Sequence, residues 1–352
     1  MLILRIVLYF LSIIHMISIV LAFIKKDFWI FRVFDYPRLQ KFVIMSSVVV
    51  VMGIYFTDTI FDWTIICLLV ISLIYLAYLI LPFTVLGKTM VNKVEPGSQE
   101  KLHLLVSNVF QDNTQYDKLL QLITNRSPDV VFLLETNQRW KEQMEVLKVH
   151  YPYFIEIPKE NTYGLLFFSK LKIVNHEVNY LIDPEIPSIV ADIEFDNRLI
   201  KIYGLHPTPP SPGENSHSTD RDAEILMVGK KVKEQSIPCL VMGDLNDVAF
   251  SYTTDLFLKT SGLLDPRRGR GFYNTYNAKY IIFRWPLDHY FVSGHFRLIT
   301  MKVEKSIGSD HFPISIKLVL APEENRRQLT ATAEEQELVE EKIDAGVKGE
   351  PL

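Results

Sequence analysis

Three long apolar runs, all before Lys88, limit what this chain can fold into. Residues 2–24 (LILRIVLYFLSIIHMISIVLAFI), 42–57 and 60–83 carry very few charges. Arg5 and His15 interrupt the first run, and Asp58 and Asp62 flank the start of the third. A helix crosses a bilayer core with about 20 apolar residues, and runs of this length favour three spans over a soluble all-helical domain. The first run is longer than the apolar part of a signal peptide and lacks a small-x-small exit, so it is read as retained. Nothing is spaced to partner His15, which reads as a tolerated polar residue at a helix interface.

Between the first two runs, 25–41 (KKDFWIFRVFDYPRLQK) mixes Lys25, Lys26, Arg32, Arg38 and Lys41 with Phe28, Trp29, Phe31, Phe34 and Tyr36. Such a mixture suits a membrane surface, with rings at headgroup depth and cations reaching outward. The same side gains Lys88, Lys93 and Lys101, whereas the 58–62 turn has no Lys or Arg. The cation bias predicts a multi-pass protein of the cell membrane, bound to the lipid bilayer, with its carboxyl-terminal part cytoplasmic.

The chain divides into a transmembrane region, 1–87, a polar linker, 88–101 (with Pro96-Gly97-Ser98), an alternating strand-and-helix region, 102–320, and a polar tail, 321–352. The tail is expected to be disordered apart from a short helix and is assigned no chemistry. A fragment starting near Glu95 is expected to stand alone. Within 102–320, strands are read at 102–107, 130–134, 163–168, 171–178, 188–195, 199–204, 287–292, 297–303 and 313–319. The four from 163 to 204 are read as consecutive and antiparallel, followed by a helix over 220–234. Formal charge is −4 for the whole chain, and the two signs nearly balance over 102–320. That excludes the basic excess of a non-specific nucleic-acid binder. Cys67 and Cys239 lie in apolar runs and predict neither a disulfide nor a zinc site.

The most informative stretch is 237–247, IPCLVMGDLND. An apolar strand ends in Gly243-Asp244-Leu245-Asn246, delivering a carboxylate and a carboxamide to its lip. Gly243 permits a close backbone approach or an unusual dihedral. An Asx turn explains this stretch equally well when it is taken alone. Similar strand exits recur at Asn108, Glu135, His206, Asp288, and Asp310 with His311. Together they offer hard oxygen donors, two histidines and a carboxamide. Asn108, Glu135 and Asp310 fit a magnesium ion that keeps several waters for a phosphate substrate. Asp288 is the candidate to fix the tautomer of His311.

SNVF, LLET, YGLHP, VMGDLND, PLDHYFVS and GSDHFPI occur in an order that resembles the endonuclease/exonuclease/phosphatase family, over roughly 102–320. The resemblance implies an α/β fold of two packed mixed β-sheets flanked by helices, a four-layer α/β sandwich. Here it would follow an N-terminal transmembrane helical region. It implies Asn108 and Glu135 as magnesium ligands (manganese being the substitute ion), with Asp310 a further acidic residue there. His206 would lie near a phosphate oxygen. Asp244 and Asn246 would position or deprotonate the attacking water, and Asp288 would orient His311, which shares the role of base with Asp244.

Phe110 stands where some nucleases of that family carry an acidic residue, which argues against a second metal. Arg268 and Arg270, in the RRGRG loop with Arg267, are candidates to clamp a phosphate. The expected activity is a membrane-anchored, magnesium-dependent phosphoesterase acting by in-line water attack on a phosphodiester, phosphomonoester or phosphoanhydride. A lipid-linked or small phosphorylated substrate fits better than long nucleic acid, whose binding leans on phosphate neutralisation. The alternatives are a nuclease using the arginine loop and an inactive membrane scaffold.

Overall fold

The computed structural model of the protein describes residues 1–24, 26–95, 97, 100–321 and 328–352. Pro96 and Ser98 of the expected linker, the cation at Lys25 and the start of the tail at Pro322 fall outside the described residues.

Three helices are long and apolar enough to cross a membrane: α1 (Leu2–Phe23), α3 (Arg38–Tyr55) and α4 (Ile60–Ile80, continued by one 3-10 turn). A single turn, α2 (Trp29–Arg32), lies between the first two. The second long helix starts four residues before its apolar run, because Arg38 has partners of its own in Asp35 and the Phe250 carbonyl. Helix α4 opens on a reciprocal capping box between Thr59 and Asp62, which gives the one buried acid of this turn a reason to be there. His15 does have a partner, contrary to the expectation: its Nε2 lies 2.9 Å from Ser72 Oγ on α4. Sequence spacing cannot show a contact that the parallel packing of α1 on α4 creates across 57 residues.

Eleven strands among the described residues form two sheets. They are β1 (Leu102–Asn108), β2 (Val130–Leu134), β3 (Tyr153–Ile157), β4 (Leu165–Ser169), β5 (Ile173–Asn179), β6 (Ser188–Phe195), β7 (Arg198–Leu205), β8 (Cys239–Asp244), β9 (Asp288–Val292), β10 (Phe296–Val303) and β11 (Ile314–Leu320). The first sheet has the order β10-β11-β1-β2-β4-β3 and the second β5-β6-β7-β8-β9. Only β1–β2 and β7–β8 run parallel, so both sheets are mixed. Strand β3, an edge strand with exposed Tyr153 and Phe154, was not expected from the sequence. The expected four-strand antiparallel run also divides: β4 pairs with β2 and β3, and the chain changes sheets before β5.

Burial explains why these strands are continuously apolar rather than alternating. Leu104, Val106, Val130 and Phe132 point between the sheets and meet Ile202, Leu240, Met242 and Tyr290. Their neighbours Leu105, Val131 and Leu133 face outward onto α5 (Tyr116–Arg126) and α6 (Gln138–Met144) through Leu119, Ile123 and Trp140. On the other side, Tyr203, Leu205 and Val241 pack against α7 (Thr219–Lys233) and α8 (Tyr252–Ser261). The result is four layers, helix–sheet–sheet–helix.

Three expectations about the ends of this unit need correction. Within the linker, Met90 and Val91 are buried in the inter-sheet core, and Val94 N–H donates to the Leu298 carbonyl at 2.9 Å along the edge of β10. An open sheet edge offers unpaired carbonyls that a following segment can satisfy. The tail is not disordered over 333–348, where it forms α9 (Ala333–Lys348) on α7. Gly346 lets the helices approach so closely that an added Cβ would lie 2.3 Å from Ala223 Cβ. Lys342, in the tail assigned no chemistry, is buried 2.8 Å from Asp27 Oδ1 and 3.0 Å from Asp222 Oδ2.

The third correction concerns independence. The 25–41 segment is not only a membrane-surface loop. Its Asp27 also accepts from Thr219 Oγ1 at 2.9 Å, and Trp29 N–H donates to the Ser216 carbonyl at 2.9 Å. Phe83, at the end of the third span, is buried with Val248, Ala249, Phe250 and Leu287. The region 102–320 therefore shares part of its core with the end of the third apolar helix.

Candidate active site

Parallel pairing places the site at one edge of the sandwich. Asn108 ends β1 in register with Leu134, so Glu135 follows at the same lip. In the second sheet Leu205 is in register with Gly243, which brings His206 and Asp244 out together. Strand β9 runs antiparallel to β8, so Asp288 opens its strand rather than ending it and pairs directly with Asp244. His311 arrives on the loop before β11. That loop is fixed by Ser309 Oγ, which donates to the Asn108 carbonyl at 2.9 Å and accepts from His311 N–H at 2.9 Å.

Local backbone geometry matches this crowding. Gly243 has φ +145°, and a Cβ there would lie 1.9 Å from the Leu205 carbonyl oxygen, so only glycine fits. Phe110, Glu135 and Asn246 take left-handed conformations with φ of 58°, 57° and 50°. Three non-glycine residues in that region beside one cavity are a concentration of strain typical of functional sites.

The side chains form one chain of hydrogen bonds and one longer charge contact. Asp288 Oδ2 lies 2.8 Å from His311 Nδ1, and His311 Nε2 lies 3.5 Å from Asp244 Oδ2. Asn108 Nδ2 donates to that same Asp244 oxygen at 3.1 Å and to Glu135 Oε1 at 2.7 Å. Asn246 N–H donates to Asp244 Oδ1 at 3.0 Å, the Asx turn of the bland reading, while its Nδ2 donates to the Pro207 carbonyl at 2.9 Å. The cavity beside this chain has a volume of about 580 Å³, and Glu135, His206, Asp244, Asn246, Asp310 and His311 all reach its wall.

Burial and charge set the protonation of these groups. Burial pushes the Glu135 carboxyl up to about 7, against the hydrogen bond from Asn108. Burial likewise raises Asp244, against the opposing pull of His311. His206 is driven down to about 4 by burial, leaving a neutral ring whose Nδ1 has no hydrogen-bond partner. Burial would lower His311 too, but Asp244 and Asp288 raise it to about 10, so it is held as an imidazolium.

A divalent ion fits this donor set. Glu135, Asp244, Asp310 and Glu214 reach the cavity, and Arg32 is its only Lys or Arg among the described residues. Asp244 is buried and Glu135 and Asp310 are half-buried around one space, which is unfavourable for three carboxylates without a further cation. Asp244, Asp288 and His311 have atoms within 4.8 Å of one another. Their spacing is that of a hydrogen-bonded relay, however, with the ring already bonded to Asp288. Glu135 and Asp310, the metal candidates of the sequence, both line the cavity, and Asn108 touches Glu135 through its amide nitrogen. Phe110, where an acid might hold a second ion, is covered by Lys279 Nζ at 4.8 Å from its ring centre.

The arginine clamp is not at this site. Arg268 pairs with Asp255 at 3.0 Å and lies over the Phe83 ring, and Arg270 donates to the carbonyls of Pro266 and Val91. Arg267 is buried against Asp265 and His289. None of the three lines the cavity. Arginines in a glycine-rich turn looked free in sequence because spacing does not show that they fold back on Asp265, Pro266 and Asp255 or reach the distant Val91 carbonyl.

Sequence reasoning missed the outer wall. Tyr163, whose hydroxyl donates to Glu214 Oε2 at 2.9 Å, stands over His206. Tyr276 stacks on Trp285 and lies against His311. Trp29, Arg32, Val33 and Tyr36 come from the interspan segment. Its aromatic and basic composition was visible, but the same composition serves a lipid surface.

A model of the endonuclease/exonuclease/phosphatase family matches residues 105–311. No curated protein sequence matches. Among solved structures, D. rerio TDP2 complexed with a single-strand DNA product is similar at a TM-score of 0.53 and 18% identity, covering 62% of this chain and 99% of that one. An endonuclease/exonuclease/phosphatase family protein from Bacteroides thetaiotaomicron gives 0.51 and 18%, covering 64% and 100%. One from Leptotrichia buccalis gives 0.50 and 18%, covering 62% and 99%. At such identities these likenesses speak for the fold.

Proposed function

The chain belongs to the endonuclease/exonuclease/phosphatase family and is a metal-dependent phosphoric ester hydrolase, and from that premise we propose that it hydrolyses a lipid-linked or other amphiphilic phosphate at the surface of the cell membrane. One observation carries this reading: the segment joining the first two membrane helices is a wall of the catalytic cavity. Tyr36 is tied to the Asn246 carbonyl at 3.0 Å, and Trp29 and Val33 line the same space. A cavity lined by apolar rings and four carboxylates, with one arginine, is poorly suited to tracking a polynucleotide backbone.

In the mechanism we propose, Asp244 takes the proton of the attacking water, its basicity raised by burial. His311, held protonated by Asp288, donates to a phosphoryl oxygen as negative charge develops there. His206, neutral and with an unpartnered ring nitrogen, offers a second contact to phosphate oxygens. Asn246 holds the loop that presents Asp244. Glu135 and Asp310, with Asn108, would bind magnesium or manganese, which when bound polarises the phosphoryl group and offsets charge in the transition state. The complete relay argues against an inactive scaffold, which has no need of buried carboxylates around an imidazolium.

The catalytic domain is proposed to be cytoplasmic, on the Lys and Arg bias around the spans. The deciding experiment is a magnesium-dependent hydrolysis screen of the full-length protein in detergent across phospholipid, polyprenyl diphosphate, inositol phosphate and single-stranded DNA. Turnover confined to DNA would overturn the amphiphile reading in favour of a nuclease.

A further inference from the structure

The sequence 279–284, KYIIFR, forms a loop that nothing in the proposed chemistry uses. Tyr280, Ile281, Ile282 and Phe283 are 62%, 77%, 67% and 55% exposed. Four consecutive exposed large apolar side chains on a catalytic domain call for an apolar partner. The loop's position indicates which one. Gln40, the third residue of α3, donates from Nε2 to the Ile282 carbonyl at 2.9 Å. Two residues of helix rise correspond to about 3 Å, so the loop tip stands level with the first turn of a membrane span. Val33, Val85 and Leu86, also exposed, lie at this same end of the helical bundle. Lys279 and Arg284 flank the tip as cations flank apolar segments at a lipid surface.

We propose that residues 280–283 enter the headgroup region of the bilayer beside α3, as an anchor that sets the mouth of the catalytic cavity against lipid. Phe283 and Trp285 line that cavity together with Trp29, Val33 and Tyr36, the Tyr36 and Trp285 rings meeting edge-on at 5.8 Å. A phosphate carried on a lipid then reaches Asp244 and His311 by lateral movement past these rings. This entry route rests on the hydrolase reading above; the loop's insertion does not.

Two measurements separate them. In the full-length chain with Cys67→Ala and Cys239→Ala, Ile282→Cys is labelled with an environment-sensitive nitrobenzoxadiazole dye and reconstituted into phosphatidylcholine–phosphatidylglycerol vesicles. With lipid spin-labelled near the top of the acyl chain, emission should fall by about half or more relative to vesicles lacking the spin label. Equal emission in the two would overturn the insertion, whatever the enzyme hydrolyses. For entry, Ile281→Asp with Ile282→Asp should lose roughly 10-fold in kcat/KM on a vesicle-borne phospholipid, yet match the unmodified chain on bis(p-nitrophenyl) phosphate in the same vesicles. An equal loss on both substrates, or on neither, would overturn lateral entry.

Discussion

The hydroxyl of Tyr36, between the first and second membrane helices, donates to the backbone carbonyl of Asn246 at 3.0 Å across 210 residues of sequence. The same carbonyl accepts from Arg221 Nη1 at 2.8 Å. The loop presenting Asp244 is therefore clamped from the membrane side by Tyr36 and from α7 by Arg221. Tyr36→Phe keeps the ring in the wall and removes one clamp. A lost hydrogen bond of about 1 kcal/mol should lower kcat about 5-fold, with KM on a soluble phosphodiester unchanged. Unchanged kcat would reduce Tyr36 to a wall residue.

Asp288→Asn should reduce kcat by on the order of 10²-fold or more while leaving KM within a factor of a few, because the amide can hold the His311 ring but cannot stabilise its charge. His311 should then titrate well below about 10, since Asp288 is one of the two carboxylates that raise it. Imidazole NMR shifts against pH would read this directly. A mutant with normal turnover would remove Asp288 from the mechanism.

A fragment starting near Glu95 should be far less stable than the full chain. It removes Phe83 and Tyr36 from the cluster of Val248, Phe250 and Leu287, and it leaves Asp222 and Lys342 without Asp27. Soluble, active fragment with the full chain's melting temperature would show that the membrane helices only anchor the domain.

How much of this was legible in sequence follows from what each residue touches. Asn108, Glu135, Asp244 and His311 could be read because strand ends converge wherever two sheets pack, and hard donors repeat at those ends. Arg268 and Arg270 misled, because spacing does not show which acceptor an arginine reaches: Asp255 and the Val91 carbonyl lie on other elements. Helix α9 looked like a solvated tail because polarity was averaged along it, whereas its fold depends on Val339, Lys342, Ala345 and Gly346 facing α7. The segment around Tyr36 could not be assigned for a different reason, since the same rings and cations suit a lipid surface and a protein cavity.

Lys342→Met tests that last helix. Burial would raise Asp222, but Lys342, Arg221 and Arg32 outweigh it and hold its carboxyl below the usual range. A depressed carboxylate contributes stability above its unfolded pKa, and that stability is lost as pH falls through the acid range. Asp27 keeps Arg32 and Asp222 keeps Arg221, so losing the Lys342 contacts should cost about 1.5–3 kcal/mol, and it should flatten the acid loss below about pH 4. Thermal unfolding in detergent at pH 7 and at pH 3.5 measures both. A melting temperature within a degree or two of the unmodified chain would mean that Asp27 and Asp222 are satisfied without Lys342.

The metal reading makes the sharpest demand on Glu135. Its carboxyl is buried and pushed up to about 7, so in the metal-free protein the charged form is disfavoured by its surroundings. A folded pKa raised above the unfolded one means that stability falls as pH rises from about 4.5 towards 7. A cation that binds the ionised form should restore it, so the rise in melting temperature caused by magnesium should grow across that interval and level off above it. Below pH 7, displacing one proton should make the apparent magnesium affinity fall up to ~10-fold per pH unit. Glu135→Gln keeps the shape and removes the charge. Activity should collapse at low magnesium, recover in part at high magnesium, and lose the pH-dependent stabilisation. Asp244→Asn should lose rate at every magnesium concentration, since its proposed part is taking the water's proton. If Glu135→Gln instead kept the unmodified chain's magnesium dependence, Glu135 would be a strand-end residue whose burial serves the fold alone, and the ion would have to be held elsewhere in the cavity, with Asp310 and Asp244 the remaining carboxylates beside His311.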